Sequence, residues 1–437
     1  MLKIGVGAGF SGDRLEPAEY LLKNVDLDYI VFECLAERTI ALAQQRKLKD
    51  KDTGYDPLLE KRIRSILPLL MDKKVKLITN MGAANPSAAG KKTLEIAEEL
   101  GVYCKVAVVT GDDVLDKLDE TYMTLETGQS LSTYEPILSA NAYLGIDALL
   151  PALDSDADII ITGRVADPSL FLAPQVHHYG WSQSDDAKLG QGTVIGHLLE
   201  CGGQVSGGYF ADSMKKHVPN LANIGFPYAI IDSNGDATIT KAEDSGGLIN
   251  LSTVKEQLLY EVHDPTTYIT PDVTADFTSV ELNETGDNAV SIKRGNGQEC
   301  PAKLKVSVGY HAGYMGEGEI SYAGTDALGR AEIAKEILQE RLSGHLEHLR
   351  IDLIGVSSVH RSTFHDSNPY EIRVRAAGRH DDKELAELVG EEVESLYLNG
   401  PAAGGGVSKS VTNQVGIIST LISRDKVQPR VDFMENK

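Results

Sequence analysis

Short β-branched segments alternate with amphipathic segments through the first half of the chain, and this alternation restricts the fold more than any other feature. The strand-like segments are LKIGV, YIVFECL, VKLITN, CKVAVVTG and ADIIITG. Helical patterns such as PLLEKRIRSILPLLMDKK and KKTLEIAEELG lie between them. Apolar strands that are joined by crossover helices form a parallel sheet with helices on both faces. The sequence therefore predicts an α/β domain with a parallel sheet over residues 1–220.

The second half of the chain has a different pattern. Residues 221–300 contain hairpin signals, including Asn234-Gly235 between two β-rich segments, and predict a β-rich insert or subdomain. From residue 301 the order is strand, helix, strand, strand, helix, which predicts an α+β unit of ferredoxin-like type. We expect this third domain, residues 301–437, to pack against the first.

Composition and charge argue against several classes of protein. The formal net charge of −22 argues against nucleic acid or an anionic membrane surface as a partner. The four cysteines lie far apart without a C-x-x-C pair, which is typical of reduced thiols. The chain enters a strand-like segment at its first residues and contains no apolar run of membrane-spanning length, so we expect a cytoplasmic protein.

Small and polar residues follow each of the five predicted parallel strands. Ligands bind beyond the carboxyl ends of such strands, so these residues are expected along one edge of the sheet. Helix capping is an alternative explanation for Asn85, Asp112 and Asp167. It explains less well Glu33 within VFECLAE, or Arg164 directly after a buried strand. The candidate site residues at this edge are Gly7, Gly9, Gly12, Glu33, Asn80, Asn85, Gly111, Asp112, Arg164 and Asp167.

The first three of these glycines have the G-x-G-x-x-G spacing of dinucleotide-binding proteins. Glu33 follows about twenty residues later, where an acid that binds the ribose would lie. However, the next helix is expected to begin near Glu16-Pro17, too late for its N-terminus to face a pyrophosphate. We therefore expect the glycines to let the backbone approach a ligand without a Rossmann geometry. A nicotinamide or flavin role stays a weaker alternative.

A second glycine-rich loop, GPAAGGGVSKS, covers residues 400–410. It lacks the lysine that the G-x-x-x-x-G-K-[ST] register of a P-loop requires. An anion-binding nest of backbone N–H groups and a purely structural loop are equal alternatives. The candidate substrate-binding residues in this loop are Gly404, Gly405, Gly406 and Ser408.

Motifs for other site chemistry are missing from the sequence. It contains no H-E-x-x-H, no H-x-H and no ordered set of carboxylates, so we expect no tightly bound metal. It also contains no G-x-S-x-G elbow for a serine nucleophile. No motif in the sequence requires a cofactor, and none indicates which cofactor the protein would bind.

Several segments together resemble one known family. They are GAGFSGDR, GYDPLL, ITNMGAANP, VVTGDDV, IIITGRVADPSLFLAP, SVGYHAGYMGEGEISYAGTDALGRA and GPAAGGG. They are similar to the acyclic terpene utilisation family of AtuA type, and the likeness covers essentially the whole chain. The resemblance implies a place in the catabolism of terpenoid or branched carboxylic acids, beside enzymes that process acyl-CoA thioesters. It transfers no catalytic residue to this sequence.

The first functional hypothesis is an enzyme that acts on a carboxylate or an acyl-CoA thioester in a lyase or hydratase type of step. Glu33 would be the general base, and Arg164 would hold a substrate carboxylate. Asp167 would orient Arg164 or cap its helix. Asn80, Asn85 and the glycine N–H groups would stabilise an enolate oxygen.

Two other hypotheses stay open. One is a non-catalytic partner of an acyl-CoA carboxylase or hydratase, and the other is an NAD(P)- or flavin-dependent oxidoreductase. The expected ligand is a small carboxylate or acyl-CoA. The sequence leaves open a homo-oligomer and an acyl-CoA-processing enzyme as protein partners.

Overall fold

The strand-like segments of the first half form the middle of a ten-stranded sheet in a computed structural model that describes residues 1–346, 348–361 and 369–437. Compact packing groups the chain into two units, Met1–Gly309 with Ile417–Lys437, and Tyr310–Gly416. The strands are β1 (Leu2–Ala8), β2 (Tyr29–Phe32), β3 (Lys76–Thr79), β4 (Lys105–Thr110), β5 (Ile137–Ala142), β6 (Ile159–Thr162), β7 (Pro227–Ile231), β8 (Ala237–Lys241), β9 (Tyr268–Ile269), β10 (Thr274–Asp276), β11 (Glu281–Gly286), β12 (Ala289–Lys293), β13 (Asn296–Gln298), β14 (Lys303–Ala323), β15 (His348–Ile354), β16 (Glu371–His380), β17 (Gly405–Ser423) and β18 (Arg430–Glu435).

The helices connect these strands and cover the sheet. They are α1 (Glu16–Asn24), α2 (Glu37–Lys49), α3 (Leu59–Lys73), α4 (Pro86–Leu100), α5 (Ile146–Leu153), α6 (Ser169–Tyr179), α7 (Asp186–Glu200), α8 (Leu251–Leu259), α9 (Ala327–Leu342) and α10 (Lys383–Asn399). In the described ranges, every helix is too short or too polar to cross a lipid bilayer.

The large sheet has the order β11-β12-β8-β7-β1-β2-β3-β6-β4-β18. Strands β1, β2, β3, β6 and β4 are parallel to their neighbours in this run. The strands on both sides of the run pair antiparallel, beginning with β7 on β1 and β18 on β4. The α/β class predicted from the sequence is therefore confirmed, but the sheet is mixed, with the predicted parallel strands at its centre.

Successive residues of β2 point to opposite faces of the sheet, and both faces are covered by helices. Ile30 and Phe32 belong to a buried cluster with apolar residues of α1, α3 and α4. The Tyr29 hydroxyl points the other way, 3.5 Å from Nδ1 of His177 in α6. Burial on both faces explains why the sequence of this strand is continuously apolar.

The β-rich segment 221–300 contributes to the large sheet. Strands β7 and β8 form the hairpin predicted around Asn234-Gly235, and Gly235 has a φ of 89°. Backbone hydrogen bonds from β7 to β1 and from β8 to β12 extend the sheet by four antiparallel strands. Compact packing groups residues 221–300 with the parallel strands. The domain boundaries at residues 220 and 300 stay predictions.

The second unit has the element order β-α-β-β-α-β. Its sheet has the order β15-β16-β14-β17, and β16 is antiparallel to both β14 and β15. Apolar residues such as Ile320, Leu338, Val374 and Val393 form its core between the sheet and helices α9 and α10.

Candidate functional site

Glu33 lies directly after β2, where its carboxylate is buried and held by two donors. Its Oε1 accepts hydrogen bonds from the backbone N–H of Leu35 at 2.8 Å and from Nδ2 of Asn80 at 2.9 Å. Asn80 in turn accepts from the N–H of Cys34 at 2.6 Å, so it holds both the side chain of the acid and the backbone that follows it. Burial raises the pKa of Glu33 well above its usual value, and the charge of Asp167 raises it further. The arrangement favours a neutral or readily protonated carboxyl at this strand end.

Arg164 follows β6 and joins the strand-end loops. Its backbone N–H donates to Asp112 Oδ2 at 2.9 Å, and its Nε and Nη2 donate to the carbonyl oxygen of Val165 at 3.1 and 2.7 Å. Nη1 donates to the carbonyl oxygen of Leu35, and Nη2 also forms an ion pair with Asp167. The side chain is fully buried. Protein acceptors contact all three guanidinium nitrogens and connect Arg164 to the loop after β2 and to Asp167, and the binding of a substrate carboxylate by Arg164 stays a prediction.

The guanidinium carbon of Arg164 lies over the ring of Tyr143, 4.4 Å from the ring centroid. The Tyr143 hydroxyl donates to Glu37 Oε1 at 2.5 Å, and Lys305 Nζ lies 3.2 Å from the same oxygen. Burial alone would raise the pKa of Glu37, but the Tyr143 hydrogen bond and the charges of Lys305 and Arg164 outweigh it and lower that pKa to about 2. Glu37 is therefore an ionised carboxylate in front of the arginine.

A cavity of about 550 Å³ opens in front of these side chains within the first unit. Asp167 reaches its wall with 36% of its side chain exposed, although most of its neighbours are buried. Burial raises the pKa of Asp167, and the Arg164 charge opposes this rise. The volume fits a branched acyl group or a small carboxylic acid. Its polar lining includes Glu37, Tyr143, Asp167, Tyr268, Lys303 and Lys305, and its apolar lining includes Pro168, Ile269, Pro271, Leu304 and Leu421.

Asp112 is held in place by hydrogen bonds from Arg164 and Asn141. Its Oδ2 accepts from the N–H of Arg164 and from Nδ2 of Asn141, both at 2.9 Å. Burial raises its pKa to about 6, and the Arg164 and Asn141 hydrogen bonds oppose the rise. Gly163 makes room for it, since a Cβ there would lie 2.5 Å from Asp112 Oδ1. Asp112 therefore fastens β4 and β6 together, and capping does not explain it.

Several other candidates have packing tasks in the structure. Asn85 caps α4 by accepting from the N–H of Ala88 at 3.3 Å, and its Nδ2 donates to the carbonyl oxygens of Lys51 and Thr53. This agrees with the capping alternative. Gly111 has a φ of 106°, and a Cβ there would lie 2.4 Å from the carbonyl oxygen of Gln428.

The G-x-G-x-x-G loop packs against protein. A Cβ at Gly7 would overlap the ring of Phe32, at Gly9 it would lie 2.4 Å from the carbonyl carbon of Cys201, and at Gly12 it would lie 2.7 Å from the ring of Phe10. Helix α1 begins at Glu16, as the sequence predicts, so six residues lie between Gly9 and the first helical turn. The close approach of other chain segments is sufficient to explain Gly7 and Gly9.

A buried arginine fills the concave side of the same loop. Arg62 of α3 donates through Nη2 to the carbonyl oxygens of Phe10, Ser11 and Asp13 at 3.3, 3.0 and 3.1 Å. Its Nη1 lies 3.5 Å from Asp56, whose other oxygen accepts from the Ser11 hydroxyl at 2.5 Å. The loop therefore presents carbonyl oxygens to a protein cation, whereas a dinucleotide site presents N–H groups to a phosphate.

The second glycine-rich loop belongs to the second unit. Gly404 packs against Tyr322 and Ile320, Gly405 and Gly406 begin β17, and Ser408 Oγ lies 3.5 Å from Glu319 Oε2. A strand follows this loop, whereas a helix follows the P-loop of nucleotide-binding proteins. A role of these four residues in binding a ligand stays a prediction.

The structure thus brings together Glu33, Asn80, Asp112, Arg164 and Asp167, all of which were candidates. It adds Tyr143, Tyr268 and Lys305, which sequence analysis missed, and Glu37, which follows Glu33 in the same loop. Tyr143 follows the short strand β5, which lies in a stretch with no clear period. Lys305 lies on β14 and Tyr268 on β9, and no short-range signal connects either residue to the parallel strands.

No group of three or more histidine, cysteine, aspartate or glutamate side chains suited to a metal ion occurs within the residues that the structure describes. The four cysteines, Cys34, Cys104, Cys201 and Cys300, are free thiols, as expected.

Comparison with known proteins identifies one family. The family model described as acyclic terpene utilisation family protein AtuA matches residues 2–433. Neither a curated protein nor a solved structure matches the chain.

Proposed function

Because this chain belongs to the acyclic terpene utilisation family AtuA, we propose that the cavity at Asp167 is the active site of an enzyme that acts on a branched carboxylate or its acyl-CoA thioester. The supporting observation is the ion pair of Asp167, which lines the cavity, with the buried Arg164, and the buried carboxyl of Glu33 belongs to the same electrostatic network. A lyase or hydratase type of step needs one group that takes and returns a proton, and this network offers one.

In this proposal Glu33 is the acid–base group. Burial raises the pKa of this carboxyl, so it takes up a proton more readily than an exposed glutamate, as general acid–base catalysis requires. Asp167, ion-paired with Arg164, contributes a fixed negative charge that raises the proton affinity of Glu33. Asn80 positions Glu33 through its 2.9 Å hydrogen bond.

Arg164 is a positioning residue in this account. It joins the carbonyl oxygens of Leu35 and Val165 to Asp167 and so connects the ends of β2 and β6. The cation that meets the ligand is then Lys305, which is exposed in the cavity wall and pairs with Glu37. A carboxylate or a thioester oxygen would approach Lys305 and the Tyr143 ring.

A thermal-shift screen tests this function. The ligands are isovalerate, isovaleryl-CoA, CoA, NAD+ and magnesium chloride, because a ligand that binds only the folded state raises the unfolding temperature. We expect isovalerate or isovaleryl-CoA to stabilise the wild type, and Asp167→Asn and Lys305→Ala to lose that stabilisation. The control Glu98→Gln changes an exposed acid at the end of α4 and should keep it.

Other outcomes of the screen would reject the proposal. Stabilisation by NAD+ alone would favour the oxidoreductase alternative. An unfolding temperature that no ligand raises would favour a non-catalytic partner of an acyl-CoA carboxylase or hydratase. One observation supports that second candidate, since Tyr209 and Met214 each expose 89% of their surface.

A further inference from the structure

A buried histidine and a buried glutamate form a pair at the end of α7. His197 Nδ1 and Glu200 Oε1 lie 2.9 Å apart, and their side chains are 2% and 11% exposed. The other carboxyl oxygen of the pair, Glu200 Oε2, is buried without a hydrogen-bond partner in the described part of the chain. Buried carboxyl oxygens are normally bonded, so the free Oε2 of Glu200 indicates a polar group that the protein itself does not supply.

The packing of α7 places this pair beside the proposed active site. Gly196 of α7 touches Pro168, where an added Cβ would lie 2.6 Å from the Pro168 carbonyl oxygen. Residues four apart share one face of a helix, so Glu200 lies on the face of α7 that meets the Asp167-Pro168 segment. Asp167 is the acid in the cavity wall.

Two further contacts place the pair between the strand ends and the cavity. The Tyr268 ring, which lines the cavity, lies 5.2 Å from the His197 ring. The backbone of Cys201, the next residue after Glu200, packs against Gly9 at the end of β1. Gly9 follows Ala8, whose carbonyl oxygen accepts from the N–H of Glu33 at 3.1 Å. Glu200 therefore lies in the same layer of strand ends as Glu33.

The charges around the pair favour its neutral form. Burial raises the pKa of Glu200 well above its usual value, the charges of Asp167 and Glu261 raise it further, and Arg164 opposes them. Burial lowers the pKa of His197 to about 4. Cys201 and Tyr268 are the remaining titratable neighbours, and burial raises the pKa of each.

We propose that Glu200, held by His197, is a second acid–base residue of this site, and that its free oxygen donates a hydrogen bond to a carbonyl or carboxylate oxygen of the ligand. The inference rests on the proposed function and adds the group that faces the oxygen of the ligand. With His197 Nδ1–H donating to Glu200 Oε1, the acidic proton lies on Oε2.

The proposed step is the enolisation of the ligand, and its protons balance. The ionised Glu33 takes the proton from the carbon next to the ligand carbonyl, the electron pair of the broken C–H bond forms the C=C bond of an enol, and the π pair of the C=O bond moves to the carbonyl oxygen. The Glu200 Oε2 proton passes to that oxygen, and the resulting Glu200 carboxylate keeps the hydrogen bond from His197. The step requires no oxidant, reductant or further reactant.

Asp56 shows how this protein satisfies a carboxyl that has only a structural task. One Asp56 oxygen accepts from the N–H of Leu58 at 2.8 Å and faces Arg62, and the other accepts from Ser11. Glu200 has one bonded oxygen and one free oxygen. This difference distinguishes Glu200 from the structural acid.

Deuterium uptake from D2O into the carbon next to the carbonyl of isovaleryl-CoA, followed by mass spectrometry, tests the proposal. We expect uptake with the wild type and with the control Glu98→Gln, and a loss on the order of 10²–10⁴-fold in Glu33→Gln and in Glu200→Gln. Uptake lost in Glu33→Gln but unchanged in Glu200→Gln would overturn this inference and leave the proposed function standing. Absence of uptake with the wild type would overturn both.

A measurement without ligand separates a neutral acid from a structural ion pair. An acid whose pKa is raised in the folded state stabilises it at low pH and loses that contribution as the pH rises. The unfolding temperature of Glu200→Gln relative to wild type should therefore increase as the pH rises above the usual range of glutamate. An opposite trend would show an ionised Glu200 in an ion pair and would also overturn the inference.

Discussion

The first unit contains two buried arginines, each beside an aspartate, and they differ in what surrounds them. Arg62 and Asp56 have 0% and 3% exposed side chains, and the acceptors of Arg62 include the carbonyl oxygens of the glycine loop. Arg164 is equally buried, but its partner Asp167 is 36% exposed and lines a cavity of about 550 Å³. The first pair closes a loop, and the second holds an acid at the wall of a cavity.

Titration alone does not distinguish the two regions. Burial raises the pKa of Asp56 as it raises that of Asp167. What distinguishes them is whether each carboxyl oxygen has a protein partner and whether a cavity adjoins it. Both oxygens of the buried Asp56 carboxylate have protein partners, which fits a structural task, whereas an incompletely bonded acid that lines a cavity is a functional candidate.

The largest expected effect is on the arginine that closes the loop. Arg62→Ala leaves Asp56 as an uncompensated buried charge and removes the donor for three carbonyl oxygens. We expect the free energy of unfolding in urea to fall by about 3–5 kcal/mol. Arg64→Ala on the same helix is the matched control, since the exposed pair of Arg64 with Glu99 contributes about 1 kcal/mol or less. Equal losses in the two variants would contradict the structural task of Arg62.

The two aspartates should respond differently to removal of their charge. Asp56→Asn weakens hydrogen bonds to a buried cation and should lower the free energy of unfolding by about 2 kcal/mol. Asp167→Asn alters a partly exposed acid and should cost about 1 kcal/mol or less, while it removes stabilisation by isovaleryl-CoA. Urea unfolding of both variants, with and without this ligand, makes the comparison. A larger loss of stability in Asp167→Asn would reverse the assignment of the two regions.

The smallest expected effect is a pair of opposite pH trends within the loop after β2. Glu33 has a raised pKa in the folded state, so its stabilising contribution is lost as the pH rises, and Glu33→Gln should gain stability relative to wild type at higher pH.

Glu37 has a pKa lowered to about 2, so its contribution is present at neutral pH and is lost as the pH falls below the usual glutamate range. Glu37→Gln should therefore cost about 1 kcal/mol at neutral pH, because solvent screens this partly exposed acid. Thermal unfolding from acidic to neutral pH measures both trends. Parallel trends in the two variants would show that the two acids have the same environment.

Much of the fold and the centre of the site follow from the sequence. Parallel strands bring their carboxyl ends to one edge, so the positions of Glu33, Asp112, Arg164 and Asp167 could be predicted from strand periodicity alone. The start of α1 at Glu16 could also be predicted. It means that no helix begins at the glycine loop, where a bound pyrophosphate would require one.

Long-range partners could not be predicted in the same way. No local pattern shows that Arg62, some fifty residues later in the chain, binds the carbonyl oxygens of the glycine loop. The Arg164 guanidinium donates mainly to backbone carbonyl oxygens. Every residue type has such an oxygen, so the sequence does not show which residues accept these hydrogen bonds. Glu200 resembles a solvated helix end in the sequence, because its burial depends on the packing of α7 against Pro168.

The most direct test of the central claim is a crystal structure of the wild-type protein with isovaleryl-CoA. The account predicts the acyl group in the cavity beside Tyr143, Asp167 and Lys305, with the glycine loop closed on Arg62 as described above. An acyl-CoA bound instead along Gly9–Gly12, with Arg62 displaced from the loop carbonyl oxygens, would contradict the account.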